Sequence, residues 1–170
     1  MSSHNQERMT NLKEQIIEAF RDVPYPGDDN LVDKDPGGFN IEEEELEERF
    51  RGKHWQALTL ATLHNSGDSF FTPAAYHFFL PAYLLVSLSR FYEADVLPYD
   101  TVCGLDPMFN AECGRMRKFR KTQGLFTKTQ RNVIRSFLEF LRDEYGEEFE
   151  NEFADYELDR LIEFYSEDYP

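Results

Sequence analysis

Apolar positions along this chain recur with helical spacing rather than strand spacing. The clearest run follows Thr127. Ile134, Phe137, Leu138, Leu141 and Tyr145 fall on one helical face, and Lys128, Arg131, Arg135 and Arg142 take the other. Thr127 and Gln130 have the spacing of a capping box, and Gly146 reads as the stop. Met9, Leu12, Ile16 and Phe20 form a second stripe, with Thr10 as a candidate N-cap. That cap predicts a flexible tail over residues 1–9 and a single helical domain over 10–170. Pro24 and Pro26 end this first helix. A narrower stripe, Leu46 and Phe50, follows a run of acids, with Asn40 and Glu43 spaced as its cap and Gly52 as its end. Leu158, Leu161, Ile162 and Tyr165 give a last helix over about 154–165.

The stretch 69–89 departs from this amphipathic pattern. It contains no Asp, Glu, Lys or Arg, and it is apolar on nearly all sides, as a buried central helix is. Thr72 reads as its cap, with Pro73 in the first helical position. Its length is nominally enough to span a bilayer, but His77 and Pro81 interrupt it, and Glu93 and Asp95 follow closely. A membrane role is therefore not expected. Pro81 removes one intrahelical hydrogen bond and clashes with the carbonyl of His77, which predicts a kink or break. Residues 53–66 read as a short helix or turn that buries Trp55, 101–105 as a short helix or extended piece, and 111–122 as a modest helix. No alternating run is long enough to argue a strand. The expected fold is mainly α. It is a single-domain irregular bundle of about five to seven helices around an apolar central helix at about 72–92, kinked near Pro81.

Between the first two helices lies a long loop, residues 22–40, holding three Pro, three Gly and five Asp. Loops of this length are functional, or they are connectors pinned to the core, here through Tyr25, Leu31 and Val32.

Charge changes the picture more than composition does. Thirty-three acidic residues face eighteen Lys and Arg, a net charge of −15. Such a surface disfavours nucleic acid and anionic membranes and suits a basic protein partner. The charge is uneven. Acids gather at Glu42–Glu48 and over 143–168, where twelve face only Arg160. Between them lies a basic segment without acids: Arg115, Arg117, Lys118, Arg120, Lys121, Lys128, Arg131 and Arg135. Pairing between these segments inside the molecule is the simplest account of their opposite signs. Cys103 and Cys113 make no CxxC pair, and the N-terminal text lacks an apolar signal region, so a cytoplasmic, reducing location is expected.

The familiar motifs are missing: GxxxxGKS/T, GxGxxG, HExxH, GxSxG and CxxC. No cofactor is expected. No metal site is expected either, because His54, His64 and His77 are widely spaced and the His64–Asp68 pair lies in loop-like text. A candidate pocket between the PYPGDD loop and Pro81 comprises Tyr25, Asp28, Asp29, Trp55, His77 and Tyr83, with the carboxylates and the imidazole as acid–base groups. The competing structural roles are Asx-type turns for Asp28 and Asp29 and a hydrogen-bonded core position for His77.

Four blocks carry a resemblance: PYPGDDNLV at 24–32, FRGKHWQAL at 50–58, FFTPAAYHFFLPAYL at 70–84 and TQRNVIRSFLEFL at 129–141. Together they resemble a family of small uncharacterised bacterial proteins, a domain of unknown function. The resemblance implies a bacterial cytosolic protein and brings no activity or catalytic residue. Three functional readings stand. The first is a non-enzymatic interaction protein of inhibitor, antitoxin or immunity type that binds a basic partner. The second is an enzyme or small-ligand protein using the PYPGDD loop. The third is nucleic-acid binding through Arg115–Arg135, which the net charge disfavours.

Overall fold

The computed structural model describes residues 3–34, 41–64, 70–152 and 158–166. Among the described residues the chain forms nine helices and no β-strand: α1 Ser3–Phe20, α2 Ile41–Phe50, α3 Leu60–Leu63, α4 Pro73–Ser89, α5 Leu97–Leu105, α6 Pro107–Glu112, α7 Met116–Gln123, α8 Lys128–Glu152 and α9 Leu158–Ser166. The fold is a mainly α, single-domain bundle, with more and shorter helices than the apolar stripes suggest. The proposed cap Asn40 lies outside the described residues.

The central helix is α4, which packs against α1, α5, α7, α8 and the 3-10 turn at Trp55–Ala57. Thr72 caps it by accepting the Ala75 N–H at 3.0 Å, and Pro73 occupies its first turn. The helix continues through Pro81 to Ser89 without a break. A proline inside a helix costs about 3 kcal/mol. Burial of one large apolar side chain contributes about 1.5–3 kcal/mol, and Phe78, Phe79, Leu80, Tyr83 and Leu84 are all buried around it. Packing on all sides outweighs the lost bond. No helix among the described residues is long and apolar enough to cross a membrane.

In α8 the backbone leaves helical geometry at Tyr145 (φ −133°, ψ 18°), where two helical stretches meet at a kink. The stop read at Gly146 thus falls beside the kink, where one helical stretch ends and the next begins. The chain turns and continues, and Phe149 beyond the bend is buried beside Phe91 and Tyr99. Tyr145 itself stacks on Phe91 with centroids 3.8 Å apart and planes 4° from parallel. This aromatic packing rewards continuation past a glycine.

At the other end, α1 begins at Ser3, so residues 3–9 are helical and not an extension outside the fold. Thr10 is no cap: it lies mid-helix and its hydroxyl donates to the Gln6 carbonyl at 2.9 Å. Tertiary partners hold this first part, through Asn5 with Glu144 and Arg8 with Asp143. The single helix read over 111–122 is split at Gly114, whose φ of 70° favours glycine and turns α6 into α7. Trp55 is buried, as its lone apolar segment suggests, and its indole N–H has no hydrogen-bond partner among the described residues.

The long loop is pinned over its described part. Val32 makes an isolated antiparallel bridge with Phe71, Asp33 N–H donates to the Phe70 carbonyl, and Thr72 Oγ1 donates to the Asn30 carbonyl at 2.8 Å. Leu31 and Val32 are buried.

Candidate functional site

Of the pocket residues read from the sequence, Tyr25 and Asp28 come together. The Tyr25 hydroxyl donates to Asp28 Oδ1 at 2.5 Å, and the Gly52 N–H donates to both oxygens, at 2.9 and 3.1 Å. Gly52 ends α2 with φ 66°, so this cluster ties the loop to the end of that helix. The Tyr25 hydroxyl bond, aided by Gly52 and Arg51, holds the Asp28 carboxyl below its ordinary range. Partial burial, and then the bond to Asp28, raise Tyr25. A carboxylate held below its usual range is a weaker base, so the arrangement serves as an anchor. Trp55 lies on the same side, with His54 linking its ring to Phe78 and Phe78 meeting Tyr25 at 5.4 Å. Asp29 is exposed in the 3-10 turn at Asp28–Asn30, and Tyr83 is buried in α4.

His77 faces a different set of residues. Its ring packs edge-on against Phe20 and Phe126, and Nε2 lies 2.9 Å from Gln130 Oε1. Gln130 Oε1 also accepts the Thr127 N–H, Thr127 Oγ1 accepts the Gln130 N–H, and Gln130 Nε2 donates to the Ala19 carbonyl. The capping box thus doubles as a junction between α1, α4 and α8. With the amide so fixed, His77 Nε2 must be the donor. Burial pushes its pKa below the ordinary histidine value. Among the described residues no hydrogen bond or ring contact joins His77 to Tyr25 or Asp28, and no group of three His, Cys, Asp or Glu could hold a metal ion.

The basic segment divides by burial. Arg131 is buried, donating to Gln123 Oε1 and the Phe164 carbonyl at 3.0 Å each, with its guanidinium over the rings of Phe164 and Tyr165. Gln123 in turn donates to the Tyr165 hydroxyl, which donates to the Leu105 carbonyl. This network seats α9 on α7 and α8. Lys118 pairs with Asp33 at 3.2 Å and Arg135 with Glu139 at 3.5 Å. Arg117, Arg120, Lys121 and Lys128 are exposed. The acidic end docks through its own arginines. Arg160 reaches the buried Asp106, which caps α6, and Arg142 bonds both Asp143 and Asp159.

In α2 the acids also divide. Glu43, Leu46, Glu47 and Phe50 share the inward face, while Glu44, Glu45 and Glu48 point outward. Glu47 accepts Lys34 at 2.7 Å and also Arg51. The outward three have no ion pair among the described residues.

A cavity absent from the sequence reading lies among α4, α5, α6 and α7. It measures about 40 Å³, and Tyr76, Gly104, Asn110, Arg115, Lys118 and Gln123 contribute to its lining. Arg115 and Lys118 were visible as cations. Tyr76 and Gly104 carry no signal of their own, because only the crossing of α4 and α5 brings them there.

The fold and these sites define an acidic helical-bundle protein in which Asp28 and His77 are engaged in structural bonds. The chain belongs to a family of unknown function, DUF6714, whose profile matches residues 8–169. Comparison with curated proteins and with solved structures gave no match.

Proposed function

We propose that this chain is a non-enzymatic bacterial cytoplasmic interaction protein, of inhibitor, antitoxin or immunity type, that binds a basic protein partner. The observation that carries the reading is the outward row Glu44, Glu45 and Glu48 on α2. These carboxylates remain exposed and unpaired among the described residues, while the buried Glu47 has two cations of its own. Opposite charge across an interface speeds encounter and selects partners, and an unneutralised acidic row on a net −15 chain favours a basic one. The engagement of Asp28 by Tyr25 and Gly52, and of His77 by Gln130, supports structural over catalytic roles for both.

The test is co-purification from the native host at about 50 mM and about 500 mM salt, a range over which the screening length shortens markedly. A basic protein should be retained at low salt and released at high salt. The E44K/E45K/E48K variant should lose it. A partner held equally by the variant, or none at low salt, contradicts the reading.

A further inference from the structure

The geometry points to a binding site for a compact oxyanion, a phosphate ion or the phosphoryl group of a monoester, in the cavity between Tyr76, Gly104, Arg115 and Lys118. One buried water needs about 10–15 Å³. The cavity of about 40 Å³ therefore holds about three waters, or one tetrahedral oxyanion in their place.

The wall is mostly apolar, with Phe119 and the Tyr76 ring in it, and its charge comes from Arg115 and Lys118. Asn110 and Gln123 are already committed: Asn110 Nδ2 donates to the carbonyls of Cys103, Gly104 and Asp106, and Gln123 is held between Tyr165 and Arg131. They shape the cavity and leave the charge to others. Arg115 stands over the Phe109 ring at 5.3 Å, and its buried Nε has no hydrogen-bond partner among the described residues. A buried guanidinium N–H without an acceptor is costly, and an oxyanion removes that cost. Lys118, one helical turn on, already holds one carboxylate oxygen of Asp33 at 3.2 Å. Arg115 occupies the cap position of α7 and Lys118 lies in its first turn, whose N–H groups have no partner inside the helix and add positive potential at the same place.

Gly104 completes the shape. A Cβ there would lie 2.7 Å from the Tyr76 hydroxyl, too close for the ring to stay in place. Asp33 pairs with Lys118 and is half-exposed on a pinned loop, so it competes with the ligand for that cation. This site lies apart from the α2 row, and neither proposal depends on the other.

The experiment titrates the full chain, at low ionic strength, with inorganic phosphate, with glycerol phosphate and with acetate as control, read by calorimetry and by amide chemical shifts. Phosphate should saturate a single site with shifts at residues 104, 115–119 and 76. R115Q and K118Q should each weaken it at least about 10-fold, the usual scale for a charge-assisted bond. D33N should tighten it a few-fold by removing the competitor. G104A should weaken it with the fold retained by circular dichroism. R117Q/R120Q, which leaves the cavity intact, should change it less than about 3-fold, as expected of screened surface charges. Saturation by glycerol phosphate as well identifies the phosphoryl group as the recognised unit, and saturation by phosphate alone identifies the free ion. Absence of saturation with both, acetate binding equal to phosphate, weaker binding in D33N, or R117Q/R120Q as damaging as R115Q overturns the proposal.

Discussion

Helix α2 and the segment 115–135 carry opposite charge, and their sequences invite the expectation that they neutralise each other. The partners seen for the two among the described residues lie in different places. The basic segment sends Arg131 into the interior, where Gln123, the Phe164 carbonyl and two aromatic rings receive it, and pairs Lys118 and Arg135 with Asp33 and Glu139. Helix α2 turns Glu47 inward to Lys34 and Arg51 and leaves Glu44, Glu45 and Glu48 in solvent. Charge complementarity between segments is thus no guide to tertiary pairing. Each buried charge finds the nearest partner that lets it be desolvated, and the remainder is left for the surface.

Removing the interior anchor should have the largest effect. Arg131→Ala leaves Gln123 Oε1 and the Phe164 carbonyl without their donor and should cost about 3 kcal/mol in denaturant unfolding. A loss below about 1 kcal/mol would mean that the basic segment is not tied inward. Glu47→Ala should cost less, about 1 kcal/mol, because its cations are largely exposed and lose little by returning to water.

The pH response separates the interior His77, held by Gln130, from the acidic surface. Burial lowers the His77 pKa in the folded chain, so the unfolded chain takes up the proton first. The resulting stability is fully present above about 6.5 and is lost as pH falls from there through the folded value. His77→Asn should flatten that slope. Asp143 gives a second window. Burial raises its pKa, but bonds from Arg142 and Arg8 outweigh this and hold it low. Its contribution is present above the unfolded carboxyl value near about 3.9 and is lost below it. The smallest effect belongs to the outward row: E44Q/E45Q/E48Q should change stability by less than about 0.5 kcal/mol, as surface substitutions do.

The parts of this fold governed by local rules were legible. The Thr72 cap, the Thr127–Gln130 box and the buried faces of α1, α4, α8 and α9 follow from spacing alone. The departures have tertiary causes. The start of α1 has Met9 as its first buried apolar residue and is held by Glu144 and Asp143, far away in the chain. Pro81 is a local stop signal overruled by the packing of the whole of α4, whereas Gly146 does mark the kink at Tyr145. Among candidate site residues, the Tyr25–Asp28 pair spans three positions and was readable. The placement of His77 against Gln130 and the cavity at Gly104 arise only where helices cross.

The independence of the two charged segments is the central claim, and a double-mutant cycle tests it most directly. E44Q/E45Q/E48Q and R117Q/R120Q/K121Q are combined, and unfolding free energies are measured at low salt for all four proteins. The account predicts additivity within about 0.5 kcal/mol, the behaviour of sites that share no partner. A coupling above about 1 kcal/mol would show that the acidic row and the basic helix face each other after all, and would remove the ground for assigning that row to a partner.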